Sequence, residues 1–130
     1  RFARQLGLLF FLSAVGTEVR VDEERYVDMA TAVSGTGPAY VFLFIEAFMD
    51  AAVHLGFQRD VALKLVLQTI EGSVKLATSS HQHPAELKNM VTSPGGTTAE
   101  ALYELEKGGF RTALSKAIWA AYQRTLTLKD

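Results

Sequence analysis

The stretch "SPGGTT", residues 93–98, has the residue types in this chain that are best suited to holding an anion. Its two glycines let the backbone take positive φ and let a ligand approach without a Cβ in the way. A helix is predicted to begin behind them, with its first N–H groups unpaired and its dipole positive at that end. A carboxylate or phosphate can therefore bind the N–H groups near Gly96, Thr97 and Thr98, with a threonine hydroxyl as an extra donor or acceptor.

A plainer interpretation explains the same residues. They can form a glycine-rich connection between two helices in which the threonines only cap the second helix. Thr97 is followed three residues later by Glu100, which is the capping-box pattern, and Gly108 with Gly109 predicts where that helix ends. The spacing alone favours this plainer interpretation, so both remain open at this level.

Other polar residues give weaker signals. His81 and His83 lie two residues apart without a third metal ligand at a suitable spacing, so no metal site is predicted. Glu46 and Asp50 are one helical turn apart and could act as an acid and a base, but such residues are more often a polar stripe paired with basic groups. The segment "SGTGP", residues 34–38, can form a polar patch, although a hinge between two helices explains it as well.

Helix signals follow one another over residues 22–130 and predict an all-α, multi-helix bundle of about five to six helices. Asp22 is a candidate N-cap for the first of these helices, which is predicted to break at "SGTGP". Pro38 and Pro84 occupy positions typical of a first helical turn, and Gly56 marks a helix end. The last helix begins near Phe110.

Residues 1–21 give different structural signals from the rest of the chain. "RFARQLGLLFFLSAVG" has the spacing of an amphipathic helix rather than of a signal peptide, and "TEVRV", residues 17–21, alternates like a short strand without a partner. A chain that begins in the middle of a helix is expected to be a fragment of something longer.

The segment that opens at Pro38, "PAYVFLFIEAFMDAAVHLGF", is apolar almost all round. Such a helix is buried or spans a membrane. Glu46, Asp50 and His54 interrupt it before the roughly 20 apolar residues that a bilayer needs, so burial in protein is predicted and no membrane partner is expected. One small chain cannot easily cover this helix on every side, so we expect a partner subunit.

The composition narrows the function classes. The chain has 130 residues, of which 48% are hydrophobic, which is enough for one domain with a core. Thirteen basic and fourteen acidic residues leave a formal charge of -1, so a nucleic-acid partner is not expected. The chain contains no cysteine, which is compatible with a reducing compartment, and a cytoplasmic location is predicted.

Two stretches resemble a known family. "AVSGTGPAYVFLFIEAFMDAAVHLGF" and "ELKNMVTSPGGTTAEALYELEKGGFRTALSKAI" are similar to the C-terminal domain of pyrroline-5-carboxylate reductase, and "VTSPGGTTAEAL" matches that family's signature. The resemblance implies that residues 1–21 are a remnant of the end of a dinucleotide-binding domain. It implies that residues 22–130 form an all-helical dimerisation and substrate-binding domain.

The resemblance also implies an activity. In this family NADPH or NADH delivers hydride to the C=N carbon of 1-pyrroline-5-carboxylate and gives L-proline, the last step of proline biosynthesis. Two helical domains interleave into a homodimer, on which higher oligomers can be built. The coenzyme-binding half is missing from this sequence, so the chain by itself is expected to bind no coenzyme and to be inactive.

The resemblance also assigns roles to individual residues by their position in the matching motif. The resemblance implies that Gly95, Gly96 and Thr97 offer N–H groups to the substrate carboxylate, that Thr98 hydrogen-bonds the ring nitrogen, and that Ser93 lines the same pocket. With the resemblance added, the anion-site interpretation becomes the favoured one. The chain departs from many family members by having Asn89 where an aspartate is expected.

Two other function classes stay open as alternatives. One is a helical dimerisation module without its own catalytic activity. The other is the helical half of a related two-domain 2-hydroxy-acid dehydrogenase. That second family would place a catalytic lysine on its helical half, and Lys64, Lys75 and Lys88 show no comparable local setting.

Overall fold

The structure is a computed structural model that describes residues 16, 17 and 19–129. Within these residues the regular structure is all helical, which confirms the predicted class. The α-helices are α1 (Glu24–Ala30), α2 (Gly37–Leu55), α3 (Arg59–Ser80), α4 (Pro84–Met90), α5 (Thr97–Lys107) and α6 (Phe110–Thr127). A π-helical turn, Thr31–Gly35, joins α1 to α2.

The strand predicted for residues 17–21 is wrong for the part of it that the structure describes. Thr17 and residues 19–21 have no strand geometry. The alternating pattern suits a strand, but a strand needs a neighbour for its backbone hydrogen bonds, and the described part of the chain provides none. The amphipathic helix predicted before it falls on residues 1–15, which lie outside the described residues.

The first helix begins one residue later than the predicted cap implies. Glu23, not Asp22, is the N-cap residue of α1, with extended backbone angles of φ -123 and ψ 143 and without a side-chain cap. Its carboxylate instead lies 2.8 Å from Nε of Arg25. The carbonyl of Glu23 accepts the N–H of Tyr26 at 3.1 Å, so backbone bonding alone starts this helix.

The break predicted at "SGTGP" takes the form of the π-helical turn Thr31–Gly35 and a bend at Thr36, after which α2 begins at Gly37. Pro38 has no N–H to offer to the preceding turn and its ring crowds the carbonyl four residues back, so the regular α-helical register cannot continue. The N–H of Thr36 donates to Thr31 O at 2.8 Å, five residues back instead of the four of an α-helix. The wider π-helical turn therefore contains one residue more than an α-helical turn. The Tyr40 hydroxyl donates to Ala32 O at 2.9 Å and fixes this turn against the start of α2.

The core of the single chain is thin. Helices α2 and α3 pack as a hairpin around a loop in which Gly56 takes φ 124. Ala62 and Val66 of α3 are buried, and Ala32 is buried where the π-helical turn meets α6. These are the only buried apolar side chains among the described residues, so most of the apolar surface of this part of the chain remains uncovered.

Helix α2 carries much of this uncovered apolar surface. None of its 19 residues is buried. The large apolar side chains that it exposes are Val41, Phe42, Leu43, Phe44, Phe48 and Leu55. The continuous helical stretch Glu24–Leu55 is long and apolar enough to cross a membrane by length and composition, with a mean hydropathy of 1.4 in its most apolar window. Helix α2 therefore requires an apolar cover that the described part of the chain does not supply.

The C-terminal helices return toward the start of the domain. Helices α5 and α6 pack against each other around Gly109, which takes φ 77, and α6 also contacts α1 and the π-helical turn. Beyond α6, Nζ of Lys129 donates to Oδ2 of Asp28 at 2.7 Å. Asp28 is only 6% exposed, and this hydrogen bond raises the pKa of Lys129. An ion pair therefore ties the two ends of the described domain together.

Candidate functional site

The candidate anion site lies in the turn that joins α4 to α5. Its first part is fixed by hydrogen bonds to the last turn of α4. The Thr92 hydroxyl donates to Lys88 O at 2.6 Å, and the Thr92 N–H donates to Asn89 O at 3.1 Å. The N–H of Val91 also donates to Lys88 O, at 3.3 Å. The end of α4 therefore determines the direction in which the chain enters the turn.

The two glycines are needed for different reasons. Gly95 takes φ 68, in the left-handed region that side chains disfavour. Gly96 has an ordinary φ of -81, but a Cβ added there would lie 2.5 Å from Ser93 Oγ and 3.3 Å from Ser93 O. The N–H of Gly96 donates to Ser93 O at 3.1 Å and closes the turn. The turn thus brings Ser93 directly against the backbone in front of α5.

The predicted capping box at the start of α5 is wrong. Gly96 is the N-cap residue, because its carbonyl accepts the N–H of Glu100 at 3.2 Å, and Thr97 is already inside the helix. Glycine has no side chain that can cap, and no side-chain cap bond forms. The capping-box pattern misplaced the helix start by one residue, since φ and ψ at Gly96 (-81 and 176) are those of a cap residue.

The consequence is a set of unused donors. Among the described residues, the N–H groups of Gly95, Thr97, Thr98 and Ala99 donate no hydrogen bond. These groups lie at the positive end of the 11-residue helix α5. The N–H of Gly96 was also predicted to donate to a carboxylate, but it already donates to Ser93 O within the turn.

The side chains predicted for the site sit at one end of α5. Thr98 is half-buried, and Ser93 and Thr97 are exposed. The hydrogen bonds among the described residues include the hydroxyl of Thr92 but not that of Thr98. Unused N–H groups and a threonine hydroxyl on the same helical turn can hold a planar anion and a neighbouring polar atom at the same time.

The remaining polar candidates have structural roles. Asp50 pairs with Arg59 at 3.1 Å, across the loop of the α2–α3 hairpin, and Glu46 is exposed. The interpretation of Asp50 as a paired polar group therefore fits better than that of a catalytic acid or base. His83 is exposed and accepts the N–H of Ala85 on Nδ1 at 3.0 Å. In the part of the chain that the structure describes, no three histidine or carboxylate side chains are placed to hold a metal ion together.

Comparison with known proteins decides the family. Residues 24–128 match the family described as pyrroline-5-carboxylate reductase dimerisation. The chain belongs to this family. The matched residues include all six α-helices down to the last turn of α6, and they include the whole turn between α4 and α5.

Relatives and solved structures agree with the family match. The pyrroline-5-carboxylate reductase of Synechocystis is 50% identical over 116 residues, which are 89% of this chain and 43% of that protein. A Plasmodium falciparum pyrroline carboxylate reductase, solved with NADP bound, superposes with a TM-score of 0.93 at 38% identity, over 100% of this chain and 49% of that one. The reductase of Coxiella burnetii gives 0.91 at 37% identity, over 97% and 47%. The chain spans less than half the length of each of these proteins.

Two residues that support α4 and the turn after it were missed from the sequence. They are Thr92, whose hydroxyl is bonded to α4, and His83, whose ring caps α4. A signal for His83 was present, since a residue directly before a first-turn proline is in the cap position. Thr92 gives no comparable signal, because a threonine that follows a helix bonds back to it only in some backbone conformations.

Proposed function

We propose that this chain is the dimerisation and substrate-binding part of a pyrroline-5-carboxylate reductase, which reduces 1-pyrroline-5-carboxylate to L-proline in proline biosynthesis. The observation that carries the proposal is the row of unused N–H groups at the start of α5, inside the region that matches the family. The substrate is a small cyclic imine with a carboxylate, and such a row of donors is suited to that carboxylate.

The carboxylate binds at the turn. The N–H groups of Gly95 and Thr97 donate to its oxygens, and Gly96 permits the close approach because it has no Cβ. The N–H of Gly96 is shared between Ser93 O and the substrate, and Ser93 lines the pocket. A helix N-terminus contributes about 0.3 to 1 kcal/mol to an exposed anion and about 2 when the site is partly buried. The turn therefore orients the substrate more than it creates affinity.

Thr98 orients the reacting group. Its hydroxyl hydrogen-bonds the ring nitrogen of the substrate and holds the imine carbon at a fixed distance and angle from the coenzyme. The proton that the ring nitrogen carries in the iminium form makes this carbon a better hydride acceptor, and a fixed orientation of both reactants lowers the barrier further. Thr98 is the residue of this chain that we assign to catalysis.

The coenzyme, NADPH or NADH, supplies the hydride when it is bound. The described residues do not fit it, because they contain no glycine-rich turn between a strand and a helix for its phosphates. We assign the coenzyme to a separate domain, of which residues 1–21 are the end. The NADP-bound Plasmodium falciparum relative supports NADP as the first coenzyme to test.

The dimer follows from the uncovered surface of α2. The matching family is described as a dimerisation domain, and the exposed apolar side chains of α2 need a cover. A second copy of the chain supplies that cover by interleaving its helices with this one, and higher oligomers can form from such dimers. This explanation of α2 accounts for its membrane-like composition without a bilayer, and we place the enzyme in the cytoplasm.

The test is a reductase assay of the full-length protein. Purified protein is incubated with 1-pyrroline-5-carboxylate and either NADPH or NADH, coenzyme oxidation is followed by absorbance, and proline is identified as the product. We expect substrate-dependent oxidation that yields proline. A folded dimer that turns over neither coenzyme would contradict the reductase and favour the alternative of a dimerisation module with an idle site.

A further inference from the structure

We propose that His83 is a positioning residue for the substrate turn and acts on it through α4. This inference rests on the proposed function of that turn. His83 is the N-cap residue of α4, with backbone angles of φ -63 and ψ 138, and its Nδ1 accepts the N–H of Ala85 at 3.0 Å. Pro84 between them has no N–H, so the N–H of Ala85 is the first in this helix that needs an acceptor.

Helix α4 depends on its ends. It has only seven residues, none of them buried, and it is not among the helices that pack extensively against another element in the described part of the chain. Helices shorter than about 12 residues are marginal without tertiary packing. The hydrogen bonds at the two ends of α4 therefore have a large influence on the fraction of molecules in which it is formed.

The far end of α4 connects directly to the site. The Thr92 hydroxyl and N–H are bonded to the carbonyls of Lys88 and Asn89, and the next residue, Ser93, accepts the N–H of Gly96. The bonds at the end of α4 and the bond that closes the turn thus lie on adjacent residues, Thr92 and Ser93, so the peptide bond between them connects α4 to the cap residue of α5. Loss of the cap bond at the start of α4 loosens the segment that places the carboxylate-binding N–H groups.

The chemistry of the ring makes the proposal specific. Nδ1 can accept only when the ring is neutral and its hydrogen is on Nε2. Asparagine can place its side-chain oxygen in a similar position and is among the best N-cap residues, whereas alanine offers no acceptor and glutamine is not a preferred cap. A role in capping therefore predicts rescue by asparagine, while a role that needs an imidazole does not.

The effect on kinetics separates His83 from Thr98. If the cap is lost, a smaller fraction of molecules has the turn formed, so apparent affinity falls by that fraction. Saturating substrate restores the formed state, so turnover at saturation is kept. We expect KM for 1-pyrroline-5-carboxylate to rise roughly two- to fivefold in His83→Ala, the lower part of the range that corresponds to loss of a helix cap, with kcat nearly unchanged.

The experiment compares variants in the full-length enzyme under the reductase assay. His83→Ala is tested beside His83→Asn. Thr69→Ala serves as the matched control, because it removes a 2.7 Å side chain-to-backbone bond, to Leu65 O, from a helix interior. Thr98→Ala serves as the reference for a lost contact to the substrate. If His83→Ala does not form a folded dimer by sedimentation, His83→Gln replaces it, since it keeps a polar side chain but caps poorly.

Support is a raised KM with an unchanged kcat in His83→Ala or His83→Gln, together with wild-type values in His83→Asn and Thr69→Ala. A wild-type KM in His83→Ala, or an equal defect in His83→Asn, overturns the role of the cap. Failure of the proposed function looks different, because then the wild-type protein itself does not reduce 1-pyrroline-5-carboxylate.

Discussion

Helix α2 and the turn between α4 and α5 are both incomplete in the single chain, but in opposite ways. Helix α2 has no buried residue and exposes aromatic and aliphatic side chains along its length. The turn exposes unused N–H groups at the start of α5. The first exposes apolar side chains, and the second exposes polar N–H donors.

The difference shows where each property of the domain originates. The turn is determined by residues that are close in sequence, through the left-handed conformation of Gly95, the contact between Ser93 and Gly96, and the Thr92 bonds to α4. The described part of the chain does not supply the cover of α2, and we assign that cover to a second chain. Stability should therefore respond most to changes on α2, and substrate handling should respond most to changes in the turn.

The largest effect is expected from a charge on α2. Phe44 lies edge-on to Phe48 with ring centroids 5.7 Å apart and to Phe110 at 6.4 Å, and it is 42% exposed in the single chain. If a second chain covers it, Phe44→Glu buries an unpaired carboxylate, which costs about 3 kcal/mol or more per chain. We expect the variant to dissociate or unfold, as measured by sedimentation velocity and circular dichroism.

The control for Phe44→Glu is Gln123→Glu, which adds the same charge at an exposed position of α6. This control should remain dimeric and folded. If Phe44→Glu also stays a monodisperse, folded dimer, the assignment of this face of α2 to the interface is wrong.

A large effect on activity with a small effect on stability is expected in the turn. Thr98→Ala removes the hydroxyl assigned to the ring nitrogen and should lower kcat about tenfold to a hundredfold, the value of a hydrogen bond to a charged group. Thermal unfolding should hardly change, because this hydroxyl takes part in no hydrogen bond among the described residues. Thr98→Ser keeps the hydroxyl and should retain most of the activity. Unchanged kinetics in Thr98→Ala would remove this residue from the mechanism.

A moderate effect on stability is expected at Gly95. Gly95→Ala places a Cβ on a backbone with φ 68 and should destabilise the folded state by about 1 kcal/mol. Gly95→Asn should cost less than half as much, because asparagine tolerates the left-handed region. Urea unfolding at one fixed protein concentration measures both. Equal stability of the alanine variant and the wild type would mean that the backbone of this turn differs in solution.

The smallest effect on stability is expected from the ion pair between Lys129 and Asp28. The hydrogen bond to Asp28 raises the pKa of Lys129 above its ordinary value of 10.5. The pair therefore contributes stability that is fully present below pH 10.5 and is lost as pH rises through the higher pKa of the folded state.

The test of this pair is Lys129→Met. The variant should be less stable than the wild type at neutral pH, and the difference between them should shrink above pH 10.5 when unfolding is measured over a pH series. A difference that stays constant across the series would show that the ion pair is not its source.

The signals that predicted the fold correctly are local. Pro38 and Pro84 fall in the first turns of α2 and α4, and Gly56 follows the last residue of α2. Proline and glycine constrain the backbone at their own position, so these boundaries do not depend on the rest of the fold. The location of the candidate site followed from the same kind of signal, since Gly95 and Gly96 marked the turn before α5.

The wrong predictions concern features that depend on contacts between residues, which a sequence pattern does not show. Residues 17–21 alternate like a strand, but the described part of the chain contains no neighbouring strand for them to pair with. The break at "SGTGP" was predicted but its π-helical form, Thr31–Gly35, was not, because that form depends on the bond from the Tyr40 hydroxyl to Ala32 O. The capping box failed because Thr97 matched a cap by type, while Gly96 has the cap conformation.

The measurement that tests the central claim most directly is calorimetric titration of the full-length protein with L-proline, beside Gly96→Val. A Cβ at Gly96 would lie 2.5 Å from Ser93 Oγ, so the variant disturbs the turn without touching α2. We predict that the wild type binds L-proline and that Gly96→Val, still a dimer by sedimentation, does not. Equal binding by both proteins would show that the carboxylate is held elsewhere and would contradict the assignment of this turn as the substrate site.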